Sequence, residues 1–182
     1  MRREMTIGPS FVFIHVPRTA GTTMARKFLP QFGGELVGKD HERIVPGEHQ
    51  RKFTFTVVRN PYDRMLSCWY HLRRNDQTRG IRDIGFPGFM ELVMDHWDEG
   101  GYSQSAFLAE ARIDFLARYE AIAEQVLLLP FNTTGILWPS ERMNSERRPR
   151  WESDIGDHPR WARIIEAHSG PDFLRFGYKK LS

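Results

Sequence analysis

Two short segments hold the residue types that can bind and move an anionic group. In the first, Pro17-Arg18-Thr19-Ala20-Gly21-Thr22-Thr23, a guanidinium, several hydroxyls and a glycine fall in consecutive positions. Arg18 brings a fixed charge with several N–H directions, which suits the oxygens of a phosphate or sulfate. The hydroxyls of Thr19, Thr22 and Thr23 are expected donors. Gly21 is expected to free the backbone so that successive N–H groups converge on the anion. The second segment, Arg59-Asn60-Pro61-Tyr62-Asp63-Arg64-Met65-Leu66-Ser67, places a second guanidinium before a helix start and a hydroxyl about two helical turns further on. Each segment also has a plainer reading. The first is then an ordinary strand-to-helix turn with a threonine N-cap. The second becomes helix-end ion pairs from Arg59 and Arg64, with Ser67 as a small packing residue.

The elements that must position these residues are legible around them. Phe11 to Val16 is an apolar run rich in aromatic and β-branched residues, cut by Pro17, and a helix is expected from about Thr22 through Phe32. Phe53 to Val58 reads as a second strand with Arg59 at its carboxyl end. Asn60-Pro61 then makes the turn into a helix over Pro61 to His71. Residues at the carboxyl ends of parallel strands face the crevice where open α/β sheets bind ligands. The first loop is not the usual nucleoside-triphosphate loop, because no Lys follows Gly21. The magnesium-linked chemistry of that motif is not indicated.

Taken together, the two segments resemble the nucleotide-binding signature of the sulfotransferases that use 3′-phosphoadenosine 5′-phosphosulfate (PAPS). The similarity is greatest to the carbohydrate, heparan sulfate 2-O-like branch and its bacterial relatives. In that family the first loop holds the 5′-phosphosulfate, which the resemblance carries to Arg18, Thr19, Ala20, Gly21, Thr22 and Thr23. The later strand and helix hold the 3′-phosphate, which it carries to Arg59 and Ser67. It also implies a P-loop-like fold, a donor that leaves as 3′-phosphoadenosine 5′-phosphate (PAP), and a hydroxyl-bearing acceptor, with a saccharide as the expected class. Ile113 to Glu120, Asn144-Ser145 and Asp172 to Tyr178 resemble later parts of the family pattern.

One position departs from the pattern. Arg18 stands where the family commonly has a lysine that assists transfer. Arginine keeps the charge and the donors but not the compact ammonium. Donor binding is therefore expected, with Arg18 neutralising charge that develops on the leaving diphosphate. The acceptor must also lose its proton, and the related carbohydrate enzymes use a histidine or glutamate for this. His41 lies about where that group is placed, and histidine as a residue type can accept a proton near neutrality, so it is the expected base. Glu48, His49 and His71 are the alternatives. His15, inside the first strand, reads as a packed, hydrogen-bonded histidine.

Composition bounds these readings. The chain has 182 residues, 40% of them hydrophobic, enough for one well-buried domain. Net charge is only +3, yet Arg142, Arg147, Arg148 and Arg150 cluster, either as a solvated loop or as contacts for an anionic donor or acceptor. No nucleic-acid motif organises these arginines. Cys68 is the single cysteine, so no intrachain disulfide can form, and its apolar helix setting suggests a core residue. No Cys, His and carboxylate cluster has zinc-site spacing, and no metal is expected. With no apolar segment ahead of Phe11, the expectation is a soluble, cytoplasmic protein without a membrane partner. Its oligomeric state is open.

Further along, a helix is expected over Pro87 to Trp97, a strand over Asp114 to Tyr119 and a helix over Glu120 to Leu129. Pro130 to Trp151 reads as a long loop, and Pro159 to His168 as another helix. Alternation of strands and helices points to a single three-layer α/β domain with a mainly parallel sheet of about four or five strands. Three functions follow as expectations. The first is a PAPS-dependent sulfotransferase. The second is a catalytically silent protein that binds PAP or an anionic glycan. The third is a nucleotide kinase with a degenerate loop, against which the missing Gly-Lys pair counts.

Overall fold

The protein is described by a computed structural model, which describes residues 5–38, 44–75, 83–94, 103–140 and 150–181. Its strands are β1 (Met5–Ile7), β2 (Phe11–Ile14), β3 (Glu35–Val37), β4 (Phe53–Val58) and β5 (Phe115–Arg118). Its helices are α1 (Gly21–Thr23), α2 (Pro61–Asn75), α3 (Phe86–Met94), α4 (Gln104–Phe107), α5 (Ile122–Gln125), α6 (Trp151–Asp157), α7 (Pro159–His168) and α8 (Gly170–Phe176). Contacts divide the chain into two compact units, Met1–Arg59 with Leu108–Ser145 and Asn60–Phe107 with Glu146–Ser182.

The first unit carries the sheet, in the order β3-β1-β2-β4-β5. Strands β2, β4 and β5 are parallel, whereas β1 runs antiparallel to both β2 and β3. The expected mainly parallel sheet is therefore a mixed one. The cause is the turn at Gly8-Pro9-Ser10, where the Gly8 N–H donates to the Phe11 carbonyl at 2.9 Å. Strands joined by so short a turn must run antiparallel. Along β2 and β4 the register pairs Phe11 with Phe53 and Phe13 with Phe55. Side chains alternate between the faces of a strand, so these odd positions share one face. There they meet Met24, Phe28, Leu29, Ile122, Val126 and Leu129 in one apolar cluster. The even positions Val12, Ile14, Thr54 and Thr56 are buried too. A fully covered strand reads in sequence as a continuous apolar run, as β2 does.

The helix expected after the first loop exists but is irregular. α1 passes into a π-helical stretch, Met24–Phe28, and then a 3-10 turn, Leu29–Phe32, with Pro30 inside it. The segment expected as one helix over Glu120 to Leu129 is likewise split, with α5 between two 3-10 turns. Beyond it, the start of the expected long loop is tied by Asn132. Its amide donates to the Val126 and Ile136 carbonyls, each at 2.9 Å, and accepts from the Ile136 N–H at 2.8 Å. Trp151, expected as the loop's end, instead opens α6.

The second unit is helical. α2 begins with Pro61 at its first position, and the Asn60 side chain accepts from the Tyr62 N–H at 3.0 Å as an N-cap. Tyr62, Leu66, Trp69, Phe86, Phe89 and Ile165 share its core, while Leu92 of α3 is exposed. Buried Asp172 accepts from the Ser103 hydroxyl and from the Gln104 and Ser105 N–H groups at 2.7–3.0 Å, which fixes the start of α4. Tyr62 donates to the buried Glu166 carboxylate, and the Leu181 N–H donates to both. Burial and that carboxylate push the Tyr62 phenol well above its ordinary pKa. Cys68 is a buried free thiol, as expected. Among the described residues no helix is long and apolar enough to cross a membrane.

Candidate anion loop at the carboxyl ends of the parallel strands

The loop begins where β2 ends. Arg18 and Ala20 both have positive φ, 66° and 68°, while Thr19 and Gly21 between and after them do not. For residues with a Cβ this left-handed conformation costs about 1–2 kcal/mol each, so the surrounding contacts must impose it. Alternating φ signs along consecutive residues turn their N–H groups toward a common concavity, the geometry of an anion nest. Strain of this kind persists where structure over-determines it and is concentrated at ligand-binding loops.

Among the described residues, the following contacts help to hold the loop. The Thr19 hydroxyl, fully buried, donates to the Val16 carbonyl at 2.7 Å. The Met24 N–H donates to the Ala20 carbonyl at 3.0 Å and starts the helical segment. The Arg59 Nη1 donates to the Arg18 carbonyl at 3.0 Å. Arg59 is only 8% exposed, and its guanidinium carbon lies 4.0 Å from the centroid of the Tyr119 ring. That is a cation–π contact in a dry setting, worth about 2 kcal/mol or more when desolvated.

The roles of three expected residues are thereby refined. Thr19 was expected to offer its hydroxyl proton to the ligand, but that proton is given to Val16. Gly21 was expected to supply backbone freedom, but its φ is ordinary. Its missing side chain makes room for a neighbour, because a Cβ there would stand 1.7 Å from His15 Cδ2 and 2.1 Å from His15 Nε2. Arg59 is expected at the ligand or in a helix-end ion pair, and part of its donor fork braces the loop.

The structure therefore brings Arg18, Thr19, Ala20, Gly21, Thr22, Thr23 and Arg59 into the sheet-bearing unit. Arg18, Ala20 and Thr22 are partly exposed, and Thr19, Gly21 and Thr23 are buried. Ser67 belongs to α2 of the helical unit, where it is 3% exposed near buried Arg64. His41 lies outside the described residues, as do Arg142, Arg147 and Arg148. Of the alternative bases, Glu48 is exposed and 3.9 Å from His49 Nε2, while His49 Nδ1 is buried with no hydrogen-bond partner. His71 is half-buried on α2. Among the described residues no group of three or more His, Cys, Asp and Glu side chains could hold a metal ion.

Sequence reasoning missed Tyr119 and the part His15 plays. A signal for both was present. His15, Arg59 and Tyr119 each directly follow the last residue of β2, β4 and β5, the three parallel strands. Carboxyl ends of neighbouring parallel strands are where such sheets place ligand-facing groups.

Chemically, the loop offers a guanidinium, convergent N–H groups and hydroxyls, braced by a second guanidinium. This set is suited to an anionic group such as a phosphate. A family model described as the sulfotransferase family matches residues 8–179. No curated protein and no solved structure matches the chain.

Proposed function

The chain belongs to the sulfotransferase family, and on that premise we propose that it transfers a sulfuryl group from PAPS to an acceptor hydroxyl, with PAP as the other product. PAPS supplies an activated sulfuryl group on a leaving 3′,5′-diphosphate. The residues present fit such a donor. The observation that carries the reading is the strained pair Arg18 and Ala20, held in the left-handed region beside a buried arginine that donates to the Arg18 carbonyl.

In this reading the N–H groups of the loop and the hydroxyls of Thr22 and Thr23 bind the phosphosulfate end. Arg18 adds a permanent positive charge there. Stabilisation is greatest where donors are fixed before charge develops, since no reorganisation is then needed. Thr19 and Arg59 provide that fixing. The likeness to the family assigns the 3′-phosphate to Arg59 and, separately, to Ser67. His41 accepts the acceptor's proton, with Glu48, His49 and His71 as substitutes to test. The family match runs through both units, which supports reading them as one three-layer, P-loop-like α/β domain. A saccharide is the acceptor class favoured by the likeness of the two segments, taken together, to the carbohydrate branch.

The test is transfer itself. Labelled PAPS is incubated with the protein and panels of sugar, lipid and phenol hydroxyls. Label in an acceptor, lost in Arg18→Ala, supports the proposal. PAP binding without transfer to any acceptor would favour the silent binding protein, the reading that Arg18 in the lysine position keeps open.

A further inference from the structure

Arg59 and Tyr119 are neighbours by register. β4 and β5 pair in parallel with Val58 opposite Arg118, so the residues that follow, Arg59 and Tyr119, come side by side at the carboxyl edge of the sheet. Hydrogen-bonded strands lie about 4.8 Å apart, close enough for neighbouring side chains to touch. The guanidinium carbon of Arg59 comes to 4.0 Å from the centroid of the half-buried Tyr119 ring, and its Nη1 reaches the Arg18 carbonyl at 3.0 Å. The three residues form a series across the ends of β5, β4 and β2.

What the series fixes is the direction of one peptide group. The Arg18 carbonyl and the Thr19 N–H belong to the same planar trans unit, in which C=O and N–H point opposite ways. Drawing the carbonyl toward Arg59 therefore aims the Thr19 N–H away from it. That unit lies in the stretch where φ is positive at Arg18 and Ala20 but not at Thr19, and the N–H groups of such a stretch converge only while the alternation is kept. A long arginine side chain has many rotamers and by itself holds nothing in place. A ring face against the guanidinium restricts them, and burial of Arg59 strengthens the attraction.

We propose that Tyr119 is a positioning residue for the 5′-phosphate end of the donor, acting through Arg59 on the Arg18–Thr19 peptide. This rests on the PAPS reading and concerns the same site. The family likeness assigns Arg59 to the 3′-phosphate, whereas its contacts with Tyr119 and Arg18 give it a second task at the other end of the nucleotide.

The experiment measures how far the 5′-phosphate tightens binding, as the ratio of the dissociation constants of 3′-AMP, which lacks that phosphate, and PAP. Calorimetry supplies both constants for the wild type, Tyr119→Phe, Tyr119→Leu and Tyr119→Met. Leucine and methionine keep apolar bulk without a ring face, and either variant suffices if the other unfolds. Their ratio should fall at least about fivefold below that of wild type, and Tyr119→Phe should restore it to within about twofold. Arg59→Met should lower the ratio as well, and a ring-less residue at 119 added to it should lower it no further, because one residue acts through the other. An unchanged ratio in the ring-less variants, even with both nucleotides weakened alike, would overturn the proposal and leave the PAPS reading standing, as would additive losses in the double variant. A wild-type protein that binds neither nucleotide would remove the PAPS reading and this inference with it.

Discussion

Arg59 donates to the carbonyl oxygen of Arg18 at 3.0 Å, a contact between residues 41 positions apart in the chain. It ties the carboxyl end of β4 to the strained turn after β2, while the ring of Tyr119 beyond β5 lies against the guanidinium. Three parallel strands thus converge on one loop, and consequences follow for each partner.

Arg59→Ala removes the brace and the cation–π contact together. The expected cost is about 2–3 kcal/mol of stability, because the Arg18 carbonyl loses a charged donor in a buried setting. PAP affinity should fall at least tenfold. Tyr119→Phe keeps the ring under the guanidinium and should hold PAP affinity within about twofold of wild type, whereas Tyr119→Ala should weaken it several-fold. Calorimetric titration of the variants with PAP checks the order.

Gly21→Ala should destabilise the fold by about 1–3 kcal/mol, as over-packed sites do. The reason is collision with the His15 ring, not backbone strain, so His15→Ala in the same chain should relieve most of the loss. Thermal unfolding of the two single variants and the double variant measures the coupling. Strictly additive effects would contradict the packing account.

Ala20→Gly should be neutral or stabilising despite adding a glycine. Release from a left-handed φ offsets the greater chain entropy of glycine in the unfolded state. Thr19→Val should lower stability by about 1–2 kcal/mol, since the valine cannot donate to the Val16 carbonyl. Denaturant midpoints of the two variants should lie on opposite sides of, or for Ala20→Gly at, that of wild type.

Acid should act through Asp114, just before β5. The Thr54 N–H donates to its carboxylate at 2.9 Å and Arg112 at 2.6 Å, and these hold its pKa below the ordinary carboxylate value. A lowered folded-state pKa means that the stabilisation is complete above the unfolded-state value, about 3.9, and is lost as pH falls through the folded-state value. Asp114→Asn should therefore be less stable than wild type near neutrality, with the gap closing in strong acid. Unfolding followed from pH 7 downward tests the sign.

Much of the site was legible in the chain because its parts are local. β2 and β4 stand out as covered apolar runs stopped by Pro17 and by Asn60-Pro61, and the loop chemistry lies in consecutive residues. β1 and β3 were not legible, since three residues are too few to show a period, and the expectation of a mainly parallel sheet followed from missing them. The irregular helix after the loop also escaped, because the sequence shows helical spacing without showing where the hydrogen bonds slip. Roles escaped more often than residues did. That Thr19 serves Val16, that Gly21 yields to His15 and that Arg59 braces Arg18 are facts of contact between chain segments, and no local pattern carries them.

On the proposed function, the loop binds a 3′,5′-diphosphate nucleotide. The most direct test is a thermal-shift titration of the wild-type protein with PAP, beside AMP and beside ATP with Mg²⁺. PAP at 100 times its dissociation constant should add about 2.7 kcal/mol of stability, with AMP and ATP giving far less. Stabilisation by ATP with Mg²⁺ alone, or by none of the three, would contradict the account.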